Sequence, residues 1–197
     1  MKTTVRTFTG SAILPYIDEL ARLRIRIFRH YPYLYDGDME YETRYLSNYL
    51  KSELTVMVLA FDGSRVVGAS SGMPISLEAE EIQRPMIQAG IDPGTVFYFG
   101  ESLLEEPYRG QGTGHRFFDE RERHALEAGP FSVTTFMVVQ RPDNHPRKPK
   151  GFIPLDTFWT KRGYTPRPHL VTEFAWKELD EATESAKPMM FWAKEWS

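Results

Sequence analysis

The chain has 197 residues, 41% hydrophobic and 26% charged, which suits one globular domain over 1–197 with a core of its own. A formal net charge of -3 offers no electrostatic footprint for nucleic acid or an anionic membrane, so a small-molecule partner is expected. The lack of cysteine excludes disulfides, a thiol nucleophile and thiolate metal ligands. The histidines show no metal-ligand spacing, so no metal site is expected.

Met1 to Arg6 carries no apolar signal-like run, and no stretch approaches the roughly 20 apolar residues of a membrane span, so a soluble cytoplasmic protein is expected. Thr3–Thr9 alternates and ends at Gly10, as a first strand would. Pro15 opens a predicted helix with Asp18 and Glu19 in its first turn and Tyr16, Leu20, Leu23 and Ile27 on one face. Its arginines Arg22, Arg24, Arg26 and Arg29 read as solvated charge. Tyr31 to Asp38 breaks the pattern, and a shorter helix follows, marked by Tyr41, Tyr45, Leu46 and Tyr49. Leu54–Phe61 and Arg65–Ile75 flank Asp62-Gly63, a strong hairpin signal. Residues 77–90 read as a short helix with a loop. Thr95–Leu104 is an aromatic and aliphatic strand running into a glycine-rich turn, and Thr113–Ala128 is a helix with Phe117, Phe118, Ala125 and Leu126 on one side. Phe131–Val139 is a further strand. A long loop from Gln140 to Pro154, a short helix from Leu155 to Arg162 and strands over 169–179 and 188–196 complete the chain.

A strand that enters closely spaced glycines and leaves as a helix aims free amides and the positive end of a helix dipole at one point, which binds phosphate. Neither GxxxxGK[ST] nor GxGxxG is met. Arg109, Gly112 and Gly114 instead meet R-x-x-G-x-G, and the stretch Leu103-Leu104-Glu105-Glu106-Pro107-Tyr108-Arg109-Gly110-Gln111-Gly112-Thr113-Gly114 resembles the pyrophosphate-binding segment of the GNAT superfamily of acyl-CoA-dependent N-acetyltransferases. The order of elements along the whole chain is similar to that family's.

The resemblance implies a mixed α/β fold: a mostly antiparallel sheet of six or seven strands, helices on both faces, and a splay that forms a cofactor slot. It implies acetyl-CoA as cofactor, with Leu103, Leu104 and Glu105 pairing with pantetheine through the backbone. The amides of Arg109, Gly110, Gln111, Gly112, Thr113 and Gly114 would hold the pyrophosphate, where a Cβ would obstruct approach. Arg109 would pair with phosphate or with Glu105 or Glu106. The family's second landmark is matched by Phe158-Trp159-Thr160-Lys161-Arg162-Gly163-Tyr164, except that Trp159 stands where a tyrosine usually protonates the leaving sulfur. Phe152 replaces the usual asparagine, with Asn144 a nearby substitute.

Transfer to an amine requires the neutral amine, and an alkylammonium of pKa about 10.4 must lose its proton first. Glu101 is the first candidate base, since an apolar strand would desolvate it. Tyr98 is the second catalytic candidate or a core residue, and simple alternation lets only one of the pair face the cleft. Asp143 and His145 rank third. Tyr31, Tyr33, Tyr35 and Asp36, with Asp38, are candidates to line the acceptor site, where rings and carboxylates would suit a cationic amine; packing and helix capping are the competing roles. The predicted function is acetyl transfer to the primary amine of a small molecule. The alternatives are a catalytically silent CoA-binding regulatory module and a nucleotide-phosphate binder. Met189–Trp192 is an aromatic segment that would serve a homodimer.

Overall fold

A computed structural model describes residues 3–196. Eight strands form one sheet: β1 (Thr4–Thr9), β2 (Val56–Asp62), β3 (Arg65–Pro74), β4 (Val96–Tyr98), β5 (Ser102–Leu104), β6 (Val133–Val139), β7 (Thr165–Trp176) and β8 (Ser185–Glu195). The order is β1-β2-β3-β4-β6-β8-β7, with β5 pairing β3 beside β4. All pairings are antiparallel except β4 with β6. Five α-helices lie among the described residues: α1 (Ile17–Phe28), α2 (Met39–Leu46), α3 (Glu80–Gln88), α4 (Thr113–Ala128) and α5 (Asp156–Lys161). Among the described residues no helix is long and apolar enough to cross a membrane.

Alternation along the strands sorts the core into two faces. Leu20, Leu23 and Leu46 from α1 and α2 pack with Met57, Leu59, Met73 and Leu103. On the other face, Phe117, Phe118 and Ala125 of α4 pack with Val58, Phe97, Phe99 and Phe136, and Phe158 and Trp159 of α5 join them. The β2–β3 hairpin closes through Gly63, whose φ of 62° suits a tight turn.

The strand expected over 95–104 is broken. Tyr98 pairs with Met73 and Ser102 with Ser70, so four steps along β4–β5 oppose three along β3. The extra residue is a bulge, and it resets the alternation. Tyr98, Glu101 and Leu103 therefore share the α1–α2 face, contrary to the expectation that only one of Tyr98 and Glu101 would. The break also opens the sheet. β4 pairs with β6 through Tyr98 and Thr135, and the Phe99 amide donates to the Thr135 carbonyl at 2.7 Å. β5 then follows β3 alone, whereas β6 continues to Val139 beside β8. Among the described residues no strand pairing joins β5 to β6, and the parting between them is the slot.

Arg121 of α4 holds the bulge. It is almost fully buried, stacks between Phe99 and Phe118, and donates to the carbonyls of Phe117, Ser71 and Glu101 and to Ser102 Oγ. Gly100 lies so close to Tyr49 and Ser71 that a Cβ would stand 2.5 Å from the Tyr49 hydroxyl.

Other expectations are corrected. Gly10–Tyr16 is a 3-10 helix containing Pro15, and the α-helix begins only at Ile17. Leu126 is exposed, pointing away from the buried side of α4. Met189, Phe191 and Trp192 are buried because β8 is an interior strand between β6 and β7, so they offer no free surface for a second copy.

Arg121→Ala should strand several buried carbonyls and cost about 3 kcal/mol of stability, readable in urea unfolding. Gly100→Ala should also destabilise, since the facing Tyr49 ring is fully buried and cannot retreat.

Candidate active site

The glycine turn leaves open space over its backbone. Gly110 and Gly112 have φ of 73° and 83°, in the left-handed region, and a Cβ at either would meet nothing within 4 Å. Gly112 caps α4 without a side-chain bond, and the first backbone bond over it is Arg116 N–H to the Gly112 carbonyl. The amides of Thr113, Gly114 and His115 therefore lack acceptors within the helix, and the dipole adds positive potential. Gly114 is helical and lies 3.8 Å, through a built Cβ, from Phe158. The Gln111 side chain donates to the Pro107 carbonyl, and the Thr113 hydroxyl meets Thr3. Arg109 donates through Nε to the Leu104 carbonyl at 2.9 Å, in place of the expected Glu105 or Glu106 pair. Glu105 is held instead by Arg26 and Arg65.

Along β5 the expected set Leu103, Leu104 and Glu105 divides. The Glu105 amide donates to Val67 and the Ser71 amide to the Glu101 carbonyl. By antiparallel alternation Leu103 turns its backbone groups to Ala69 as well. Leu104 faces the slot, and so does Ser102, which the sequence reading missed. Register was the lacking signal, since it depends on the bulge.

The α1–α2 face of the slot carries the charge. Arg24, expected in solvent, is buried: its Nε donates to Glu42 and its Nη1 to Glu101 at 2.5 Å. The guanidinium lies 4.4 Å from the centre of the Tyr45 ring and 5.0 Å from that of Phe28. Glu101 thus has a cation beside it where apolar surroundings were expected. Tyr98 is buried among Ile75, Met137 and Leu170, and burial first, then Glu78, push its phenol well above the ordinary range. It stays protonated at neutral pH.

Glu78, absent from the sequence-based candidates, joins this face. It follows the 3-10 turn Ile75–Leu77 and precedes α3. Its Oε1 is buried and has no hydrogen-bond partner among the described residues. Burial pushes the carboxyl up to about 7; the Ala79 amide and Arg24 oppose the rise and Glu101 adds to it. In the sequence Glu78 is one of three acids at a helix start, with nothing to single it out.

The predicted acceptor residues are only partly gathered. Burial pushes the Tyr33 phenol up to about 12, and its ring packs on Phe28 and Trp176. Burial and then Glu42 raise Tyr35 strongly. Asp36 is engaged by Lys177 at 2.9 Å and Arg29 at 3.5 Å, and the Lys177 bond above all lowers its pKa, so it is not an open carboxylate for a cation. Asp38 caps α2 through the Tyr41 amide. Tyr31 stacks edge-on against Phe152 and beside His145, joining the long loop to the α1–α2 connection. Asn144 is exposed on that loop, and Asp143 pairs with Lys148. Trp159 packs against Phe136 and Trp192.

No protein-family model and no curated protein matches the sequence. Solved structures do match. A ribosomal-protein-alanine N-acetyltransferase from Brucella melitensis aligns with a TM-score of 0.61 at 15% identity, over 98% of this chain and 99% of that one. A GNAT-family acetyltransferase from Streptococcus pneumoniae gives 0.59 at 13% over 98% and 99%. The PaiA N-acetyltransferase from Thermoplasma acidophilum, in complex with coenzyme A, gives 0.58 at 11% over the full length of both. The described residues have the fold of these acetyltransferases.

The Glu78 carboxyl provides a stability test. Its folded value of about 7 lies above the 4.5 of the free group, so the folded state holds the proton more tightly. That stability is full below pH 4.5 and is lost as pH rises through 7. Glu78→Gln, which cannot ionise, should match the parent near pH 4 and exceed it by ~3 kcal/mol above pH 8 in denaturant titrations. Arg24→Met should destabilise by about 3–5 kcal/mol, since it leaves two buried carboxylates unpaired.

Proposed function

We propose that this protein transfers an acyl group, most simply acetyl, from coenzyme A to a primary amine of a small molecule. The observation that carries the proposal is the slot that opens beside β5 and leads to the glycine turn, where Gly110 and Gly112 leave open space that a side chain would fill. The residues fit the cofactor on that ground: the amides from Gly110 to Gly114 would receive the pyrophosphate, and the Ser102 backbone and the Leu104 amide, on the edge of β5 turned away from β3, would pair with the amide-bearing arm, the Leu104 carbonyl being engaged by Arg109. When bound, the cofactor supplies an activated thioester carbonyl.

The chain's own residues do the rest. The bulge turns Tyr98 and Glu101 to one side of the slot, where the acceptor would enter across Tyr33, Tyr35 and Tyr45. Tyr98, kept neutral by burial, is the donor proposed for the departing sulfur, the role that Trp159 does not fill. Glu101 holds Arg24 in place and leaves this face with negative charge in excess. A negative, aromatic pocket favours a cationic amine over an acidic acceptor.

A second reading, a CoA-binding regulatory module without turnover, rests on Trp159, whose indole is packed into the core. The two share one first test. Acetyl-CoA and CoA should each stabilise the protein by about 2.7 kcal/mol at a hundred times Kd, and ATP should not. Gly112→Trp should abolish the shift by filling the cradle. No CoA-dependent shift at millimolar ligand would refute both readings, and a shift without turnover of any primary amine would favour the module.

A further inference from the structure

We propose that Glu78 is the catalytic base that removes a proton from a cationic primary amine on the α1–α2 face of the slot. The assignment rests on the acyl-transfer function proposed above. The turn before Glu78 packs on β4, and Ile75 of that turn shares a buried cluster with Tyr98. Glu78 thus stands at the strand where the sheet begins to part. Its buried Oε1 has no partner among the described residues, and a polar atom left so carries an unmet desolvation cost that a donor from the acceptor would relieve.

The charged and titratable groups that couple to it electrostatically are Arg24 of α1, Tyr45 of α2, Tyr49 of the following turn, Tyr98 of β4 and Glu101 of the bulge. Arg24 is already shared by Glu42 and Glu101, so it does not neutralise Glu78. Three carboxylates against one guanidinium, lined by phenol rings, form a site for an alkylammonium, whose proton the unpaired carboxylate can take. The Glu101 carboxylate is already engaged by Arg24. The carboxyl of Glu78, pushed by burial to about 7, lies near working pH, where a general base is most effective.

The step balances as follows. Glu78 takes one proton from the ammonium and frees the nitrogen lone pair, which forms a C–N bond to the thioester carbonyl carbon. The C–S bond breaks with its electron pair on sulfur. The second nitrogen proton reaches the thiolate by way of Tyr98, and Glu78 later releases its own proton to solvent. Ammonium and thioester become amide, thiol and one proton.

The test compares the full-length parent with Glu78→Gln and Glu78→Asp. Acceptors are drawn from a panel of alkyl diamines, amino sugars and amino acids. The expected result is a loss of 100-fold or more in kcat/KM for Glu78→Gln and partial retention in Glu78→Asp. The pH dependence of kcat/KM near 7 in the parent should vanish in Glu78→Gln, while the acetyl-CoA thermal shift persists. Independently of turnover, 13C-carboxyl NMR should show one glutamate titrating near neutrality, missing in Glu78→Gln and displaced by 1,4-diaminobutane. Glu78→Gln activity within threefold of the parent, or no such resonance, would overturn the role of Glu78 and leave the acyltransferase reading standing. No CoA-dependent shift, or no turnover of the panel by the parent, would overturn both.

Discussion

One extra residue between Tyr98 and Ser102 governs the rest of the molecule. A regular strand over 96–104 would stay paired with β3 on one side and β6 on the other, and the sheet would be closed. The bulge keeps the β3 pairing and ends the β6 pairing at Thr135, so the sheet parts without losing its outer strands. It also turns Tyr98 and Glu101 to the same face and leaves Ser102 and Leu104 facing the gap. Such a kink exposes main-chain groups that need partners. Arg121 supplies them from α4, spreading its donors over the Ser71 and Glu101 carbonyls and the Ser102 hydroxyl, and burial lowers its pKa only to about 10, so it remains charged at neutral pH. The side chain that stabilises the opening is thus on the helix that begins at the glycine turn, and the two halves of the slot are set by one element.

Charge is distributed with the same economy. Arg24 is buried because Glu42 and Glu101 converge on it and because Tyr45 and Phe28 offer their ring faces. Asp36, Glu105 and Glu178 are each tied to a cation. Glu78 stands apart from these pairings, and its buried oxygen has no donor among the described residues. A carboxylate in that state costs stability unless something binds it, which is how functional sites differ from structural ion pairs.

Much of this was legible in the sequence where one local rule decides. Helix α4 lies over Thr113–Ala128 as its composition predicts, the hairpin forms around Asp62-Gly63, and Gly110 and Gly112 take the positive φ that the turn requires. What failed depends on long-range partners. Arg24 shares its helix side with Leu20 and Ile27, yet its spacing cannot reveal that carboxylates 18 and 77 residues away will meet it. The break in 95–104 leaves only Gly100 as a trace, because the run is otherwise uniformly strand-forming. Glu78 was invisible for the same reason: acids before a helix are ordinary, and only the packing of the turn on β4 removes one from water.

The two sides of the slot differ in the physics that would bind their ligands, and this bears on how the fold persists at identities of 11% to 15%. Phosphate would be received by amides and a helix dipole, which any residue supplies once two glycines permit the turn. The acceptor would be received by side-chain charge and aromatic faces, which change with every substitution. Shared fold therefore constrains the cofactor side far more tightly than the amine side. In this chain the proposed acceptor side comprises Arg24, Glu42, Glu78, Glu101 and the surrounding tyrosines, where acids outnumber the guanidinium and Glu78 follows the turn that packs on β4. On the proposed reading, acceptor preference would follow from this cluster, and a cationic amine would meet it with both charge and a proton to give.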